Sequence, residues 1–314
     1  MTAINRYLLE SGLAAFILQV RANEDGAFES DPVFVRDPKE LQNGSQSRYA
    51  SSAPLTAIRA ALEFNEPFAV SLKPCDVAGL RNLQREDKRA QRLIVLTQTM
   101  ICGSVPTLDD TLDVLRRAGI DPIKTPPKAF QWRGNGCPGP VVATMPDGRE
   151  VTSTYYDMYY DNPYHTQFRC KICPDAVGLQ ADIATGDSWL NAEPTGESDG
   201  TNVVVVRTAS GAEVLAECER LGYLTVHDGP ETILDDTQPH QVRLRRTFSS
   251  RVAGAIVAGT PTPNFTGLAE DACASALEPA ELASVFQGTV ERVRAGQADE
   301  SSVMDGWEAI RASL

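Results

Sequence analysis

Two cysteines two residues apart, Cys170-Lys171-Ile172-Cys173, are well spaced to share one metal centre, because a two-residue spacer lets a tight turn aim both sulfurs the same way. A redox dithiol uses the same spacing, but at a strand-to-helix junction, whereas here Pro174 breaks the chain directly after the pair. Three further cysteines stand in loop-like settings: Cys75 after Pro74, Cys102 before Gly103-Ser104-Val105-Pro106, and Cys137 within Gly136-Cys137-Pro138-Gly139-Pro140. Cys137 and Cys173 are each followed by proline, as a ligand of bacterial ferredoxins often is. Cys218, at helical spacing from Val214, Leu215 and Leu221, reads as core, and Cys273 as structural. Five cysteines therefore compete for the four ligand positions of an iron-sulfur cluster. A structural zinc site is the competing reading, since four thiolates also suit a tetrahedral ion. The spread of these cysteines over one folded core, from Cys75 to Cys173, favours the larger cluster over two local zinc knuckles.

The elements that must position these thiols follow from periodicity. Leu55 to Phe64 suits a helix, Pro67 to Leu72 a buried strand, Val77 to about Glu86 a helix with Asp76 as its cap, and Leu93 to Met100 a second strand. Strand, helix, strand in this order predicts a parallel pair, with Cys75 and Cys102 just past the carboxyl ends of its strands, where open α/β sheets hold ligands. A helix is expected from about Leu108 to Ala118, stopped by Gly119. The texture then changes: a rigid Gly/Pro loop over 134–140 precedes a hairpin of Val141–Thr144 and Glu150–Thr154 about Pro146-Asp147-Gly148. After the cysteine pair come a turn-rich stretch, a strand Asn202–Arg207 and a helix from about Ala212 to Leu221. Beyond Gln238 helices are expected, including Glu281–Ala295. The fold class is thus α/β, a central mixed or parallel sheet with flanking helices and an inserted β-hairpin around 130–165 carrying cluster loops. The core is expected over 1–230 and a mainly helical region over 231–314.

Bulk properties narrow the function. The chain has 314 residues with 42% hydrophobic and 23% charged residues, so it folds without help from a cofactor. A net charge of -13 argues against nucleic acid as partner, because phosphate binders concentrate Lys and Arg. The apolar run Leu13–Val20 lacks a basic lead and a cleavage pattern, and no stretch approaches the roughly 20 apolar residues of a membrane span. Seven cysteines in a chain without a convincing export signal point to reduced thiols, metal ligation and a cytoplasmic location, with no integral membrane attachment.

Five blocks in order resemble the coenzyme F420 hydrogenase/dehydrogenase β-subunit family, which includes related chlorophyll-metabolism reductases. They are Gly44-Ser45-Gln46-Ser47-Arg48-Tyr49, Lys73 to Leu80, Met100 to Pro106, Arg133 to Pro140, and Arg169 to Trp189, the last joining the cysteine pair to Gln180-Ala181-Asp182-Ile183-Ala184-Thr185-Gly186-Asp187-Ser188-Trp189. The resemblance runs from about Leu41 to Leu221 and implies a flavin, usually FAD, beside one 4Fe-4S cluster. It further implies an oxidoreductase or oxidoreductase subunit exchanging electrons with a small organic substrate such as coenzyme F420, and with ferredoxin or a sister subunit; a homo-oligomer is compatible with it. Cys75, Cys102, Cys170 and Cys173 match the widely shared positions and Cys137 an extra one, four of the five being expected on iron. Lys73 and Asp76 depart from the common Thr-Pro-Cys-Gln block. No cysteine precedes Cys75, where many members carry a ferredoxin-like set, so a single cluster is expected. The alternative is a non-enzymatic subunit or binding module with a structural four-cysteine zinc or iron-sulfur site.

For the flavin, Gly44, Ser45, Ser47 and Tyr49 offer small residues, hydroxyls and free N–H groups to a phosphate or ribityl chain. Lys73, beside Pro74, offers a cation to a pyrimidine edge that gains negative charge on reduction. Lys73 and His165 are the catalytic candidates; His227 and His240 have nothing in the sequence tying them to chemistry. Tyr155, Tyr156, Tyr159, Tyr160 and Tyr164 could stack on a flat ring, although aromatics also fill cores. Asp182 and Asp187 read as loop anchors. Gly134-Asn135-Gly136-Cys137-Pro138-Gly139 formally satisfies the dinucleotide fingerprint, but Pro138 and the strand residues after it forbid the helix that motif must open.

Overall fold

The computed structural model describes residues 1–24, 26–155, 166–189, 200–268 and 273–298. Its centre is a six-stranded mixed sheet in the order β2-β1-β3-β4-β8-β9, built from β1 (Phe16–Ala22), β2 (Ser30–Val35), β3 (Phe68–Leu72), β4 (Ile94–Met100), β8 (Ile183–Asp187) and β9 (Asn202–Val206). Strands β1, β3, β4 and β8 run parallel, and the two outermost strands, β2 and β9, pair antiparallel. A smaller antiparallel sheet holds β5 (Ala129–Gln131), β6 (Val141–Thr144) and β7 (Glu150–Ser153).

Strand side chains alternate between faces, so a parallel strand covered on both sides reads as a continuous apolar run. Phe16 and Leu18 of β1 pack with Phe68 and Val70 of β3 under helices α2 (Ile58–Glu63), α3 (Pro74–Glu86) and α4 (Lys88–Leu93). Ile17 and Ala69, their neighbours in sequence, face the other way and meet Leu96, Ile183 and helix α1 (Thr2–Glu10). Cys218 is fully buried in that second cluster, on the helix over Ala209–Arg220, in keeping with its reading as core. Helix α5 (Leu108–Arg117) lays Val114 and Leu115 on Phe130, Trp132, Val141, Ala143 and Met145 of the smaller sheet.

Several elements depart from expectation. Helix α3 begins at Pro74, whose missing N–H costs nothing in a first turn, so Lys73 occupies the cap position and Asp76 lies inside the helix rather than capping it. The stretch that looked turn-rich contains β8, whose short Ile-Ala-Thr-Gly-Asp sequence is a strand because it pairs on both sides, with β4 and β9. The expected hairpin has a third strand, β5. Its turn forms at Pro146-Asp147-Gly148, with Gly148 at φ 84 and the Gly148 N–H donating to Met145 O. The remaining helices are α6 (Phe168–Lys171), α7 (Ala209–Arg220), α8 (Ile233–Thr237), α9 (Pro239–Val257) and α10 (Pro279–Arg292).

Candidate functional site

The carboxyl ends of β3, β4 and β8 share one edge of the sheet, and the cysteines gather there. Cys75 sits in the first turn of α3, directly after β3, rather than in a loop. Cys102 follows β4; its N–H donates to Ala176 O at 2.9 Å, joining the β4 exit to the loop after Cys173. Cys170 lies in α6 and Cys173 just beyond it, with the Cys173 N–H donating to Cys170 O at 3.2 Å. The loop after the pair is shaped by Asp175, which is buried and whose carboxylate accepts from the N–H groups of Val177 and Leu179 at 3.1 and 2.9 Å. Gly178 closes the loop at φ 71, and a Cβ there would stand 2.3 Å from Thr99 Cγ2 on β4.

Four of these thiols act on one another. Burial pushes the Cys102 thiol far above its ordinary pKa, and Cys170, Cys173 and Cys75 each push it further. Burial also raises Cys173, to about 11, with Cys170 and Cys75 adding to the rise. The Cys75 side chain reaches the surface, yet the atoms crowding its sulfur still penalise a thiolate, and Asp76 and Cys170 reinforce this against Lys73 and Arg169. As thiolates these sulfurs would repel one another, so a cationic centre among them would favour their ionisation. Among the described residues no three His, Cys, Asp or Glu side chains are gathered tightly enough to hold one metal ion as they stand. The four share one edge of the sheet, with Cys75 after β3, Cys102 after β4 and the Cys170–Cys173 segment bonded to Cys102 through Ala176 O.

Cys137 belongs to different surroundings. Burial raises its pKa, Asp187 adds to this, and Arg133, whose Nη2 lies 3.9 Å from Sγ, opposes it. Arg133 itself is 8% exposed and organises that corner. It donates to Asp187 Oδ2 at 2.6 Å, to Pro138 O at 2.9 Å and to Tyr49 Oη at 3.4 Å. Its guanidinium lies 5.1 Å from the Tyr155 ring centre and 5.4 Å from that of Trp189, which stack on each other. The five cysteines thus separate into four and one.

The proposed flavin residues divide as well. Gly44 fits closely against β1, where a Cβ would meet Gln19 Nε2 at 2.5 Å and Val20 O at 2.8 Å; Ser45 bonds back to Gln42 O, and Ser47 is exposed. Tyr49 reaches Arg133, while Lys73 and Pro74 stand at the end of β3. Lys73 Nζ is held by Asp76 Oδ2 at 2.7 Å and Ser52 Oγ at 2.6 Å. The intervening segment laces the site together. Arg48 donates to Glu29 O and stacks on Trp132, Ser51 accepts from Gln167, and Ser52 accepts from Lys73. His165 and Tyr156, Tyr159, Tyr160 and Tyr164 lie outside the described residues.

Sequence reasoning assigned no role to Arg133, Arg245 or Arg251. Arg133 stood inside a motif block but was overshadowed by its Gly/Pro neighbours; nothing in the sequence distinguishes the other two from Arg243, Arg246, Arg292 and Arg294. In the structure both reach from α9 to the cysteine loop: Arg245 donates to Pro174 O at 3.3 Å and Arg251 to Cys173 O at 3.2 Å and to Lys171 O.

Comparison with known proteins bears on this edge. Residues 65–232 match the family model that describes the C terminus of the coenzyme F420 hydrogenase/dehydrogenase beta subunit, and residues 1–59 match its N-terminal counterpart. The F420-dependent formate dehydrogenase 1 subunit beta of Methanococcus maripaludis is 24% identical over 227 residues, 71% of this chain and 55% of that protein. The coenzyme F420-dependent sulfite reductase of Methanocaldococcus jannaschii is 25% identical over 229 residues, covering 68% of this chain and 33% of the relative. The chain therefore spans about half of the first relative and a third of the second. In fold, it resembles a chain of the F420-reducing [NiFe] hydrogenase complex from Methanosarcina barkeri, with a TM-score of 0.60 at 18% identity over 83% of this chain and 88% of that one.

Proposed function

Because the chain belongs to the coenzyme F420 hydrogenase/dehydrogenase beta-subunit family, a family of oxidoreductase subunits, we propose that it passes electrons between one 4Fe-4S cluster, a flavin and an organic hydride donor or acceptor of the coenzyme F420 type. The observation that carries this reading is the placement of Cys75 after β3, Cys102 after β4, and Cys170 and Cys173 on the segment that Cys102 N–H bonds at Ala176 O, all at one sheet edge. These four would ligate the cluster, and Cys137, beside Arg133 and Asp187, would not. When bound, the cluster moves single electrons and the flavin, FAD in this reading, converts them to a hydride pair.

The chain's own residues then have distinct tasks. The two-residue spacer at the end of α6 would aim Cys170 and Cys173 at one centre, while the Cys102 N–H to Ala176 O bond fixes the β4 loop against theirs. Lys73, anchored by Ser52 and Asp76, holds a cation at the β3 terminus where negative charge on a reduced ring would be stabilised. The Tyr155–Trp189 stack, backed by Arg133, offers a flat aromatic wall to an aromatic substrate. Electrons would be exchanged with ferredoxin or a sister subunit in the cytoplasm. No helix among the described residues is long and apolar enough to cross a membrane.

Anaerobic purification tests the reading. We expect a yellow-brown protein with flavin bands, a broad iron-sulfur shoulder and about four iron atoms per chain. Replacing Cys75, Cys102, Cys170 or Cys173 by Ser should abolish iron binding, and Cys137→Ser should leave it intact. A colourless protein that binds zinc with the same four thiols would replace this function with a structural one.

A further inference from the structure

A helix beyond the family-matched residues reaches back to the cysteine loop with two buried cations. Arg245 and Arg251 of α9 are 8% and 6% exposed. Arg251 donates to Lys171 O, Cys173 O and its own helix's Leu244 O, and Arg245 donates to Pro174 O and Leu268 O. Three carbonyls within Lys171–Pro174 thus end on two guanidiniums from a single helix. Among the described residues neither arginine makes an ion pair with a carboxylate, although their helix neighbours Arg243 and Arg246 pair with Glu281 and Asp235. Arg251 Nε is buried without a hydrogen-bond partner. Helix α9 is itself braced: a Cβ at Gly254 would stand 2.8 Å from Phe286 O of α10.

A buried guanidinium whose hydrogen bonds all end on carbonyls is expensive unless a negative charge lies near it, and the Phe248 ring 5.1 Å from Arg245 offsets only part of that cost. Two together, beside a loop that presents two thiols, suit an anion at that loop. A four-thiolate iron-sulfur cluster carries net negative charge in both of its redox states and more when reduced. Outer-layer groups that orient first-layer ligands set both metal retention and redox potential.

Resting on the cluster reading above, we propose that Arg251, with Arg245, is a positioning residue for the Cys170–Cys173 loop and the counter-charge to the cluster it holds, so that the C-terminal helical region is part of the redox site. Arg251 grips the loop in a ligand-presenting conformation, and its fixed positive charge favours the reduced, more negative cluster.

The test uses the full chain, purified anaerobically, with Arg251→Gln, Arg251→Lys and Arg245→Gln. Far-UV circular dichroism and thermal melting establish that each variant folds, and Arg245→Gln carries the test if Arg251→Gln does not. In Arg251→Gln, iron release to a chelator should be about 10- to 100-fold faster than in the parent, the size of effect expected for loss of an outer-layer partner. Its cluster midpoint potential, followed by electron paramagnetic resonance, should fall. Arg251→Lys should hold the potential near the parent's while still releasing iron faster, because an ammonium keeps the charge but lacks the planar fork. In cluster-free protein, trypsin should cut after Lys171 faster in Arg251→Gln than in the parent. A folded Arg251→Gln with the parent's release rate and potential overturns this proposal alone. A parent that binds no iron overturns it together with the proposed function.

Discussion

One carboxylate, Asp182, shows how much of the sheet edge is fixed by single residues. Its oxygens accept from Thr97 N at 2.7 Å and Thr97 Oγ1 at 2.8 Å on β4, from Thr208 Oγ1 at 2.9 Å ahead of α7, and from Arg81 Nη2 at 3.2 Å on α3. Asp182→Ala removes the acceptor of Thr97 N–H and of both hydroxyls in a site with little water, while Arg81 keeps Gln180 O, Gln84 Oε1 and Thr97 Oγ1, and should cost about 3 kcal/mol in chemical denaturation. Asp110 is the opposite case: it is 4% exposed on α5, Oδ1 has no hydrogen-bond partner, and burial raises its pKa to about 7. Below about pH 4 the folded and unfolded chains both carry this proton. Between there and about pH 7 only the folded chain does, so its contribution to stability declines as pH rises across that window. Asp110→Asn should remove that slope, leaving the variant more stable than the parent at pH 8 by on the order of 3 kcal/mol and little changed at pH 4, as measured by urea unfolding at both values. The anchoring role of Asp182 was legible from its place in a polar loop motif. That of Arg251 was not, because an arginine that turns inward looks the same in sequence as one that faces water.

Among elements, strands and helices with strong apolar periodicity could be read directly: β3, β4, α3 and α5 stand within a few residues of their expected places. Where the sequence misled, a partner supplied the structure. Ile183–Asp187 carries a glycine and two polar residues, yet it forms β8 because β4 and β9 flank it. Strand β2 contains Pro32, which an outermost strand tolerates where an inner one would not. The loop that leads from Cys173 into β8 depends on Gly178, whose positive φ and 2.3 Å virtual contact with Thr99 leave no room for a side chain. Gly178→Ala should therefore destabilise the fold by about 2 kcal/mol or more and loosen the Cys102 N–H to Ala176 O bond. The first is read by thermal melting and the second by faster amide exchange at Cys102.

For the molecule as a whole, the expectation of an α/β core with a mixed sheet describes the structure; Cys75 and Cys102 share an edge because β3 and β4 run parallel, and the loop after Cys173, whose Ala176 O accepts from Cys102 N–H, ties the Cys170–Cys173 segment to that edge. What no local pattern could convey was the return of α9 to that edge, since it joins residues about 80 positions apart. A cluster bound only to the folded chain adds stability through mass action. Iron removal by a chelator should accordingly lower the melting temperature by several degrees, while Cys102→Ser, already iron-free in the proposed reading, should show no further change on chelation.

The pairing of Gln98 with Ile183 spans 85 positions of chain, and the Cys170–Cys173 pair lies within the segment that this strand alignment closes. Forming it requires a long chain closure before any contact is rewarded, so a cluster held by these four thiols, as proposed, would be captured late, after the polypeptide has adopted its native topology. In a local zinc knuckle the ion can nucleate the fold; in the proposed reading the folded scaffold would have to exist first and then receive iron and sulfide.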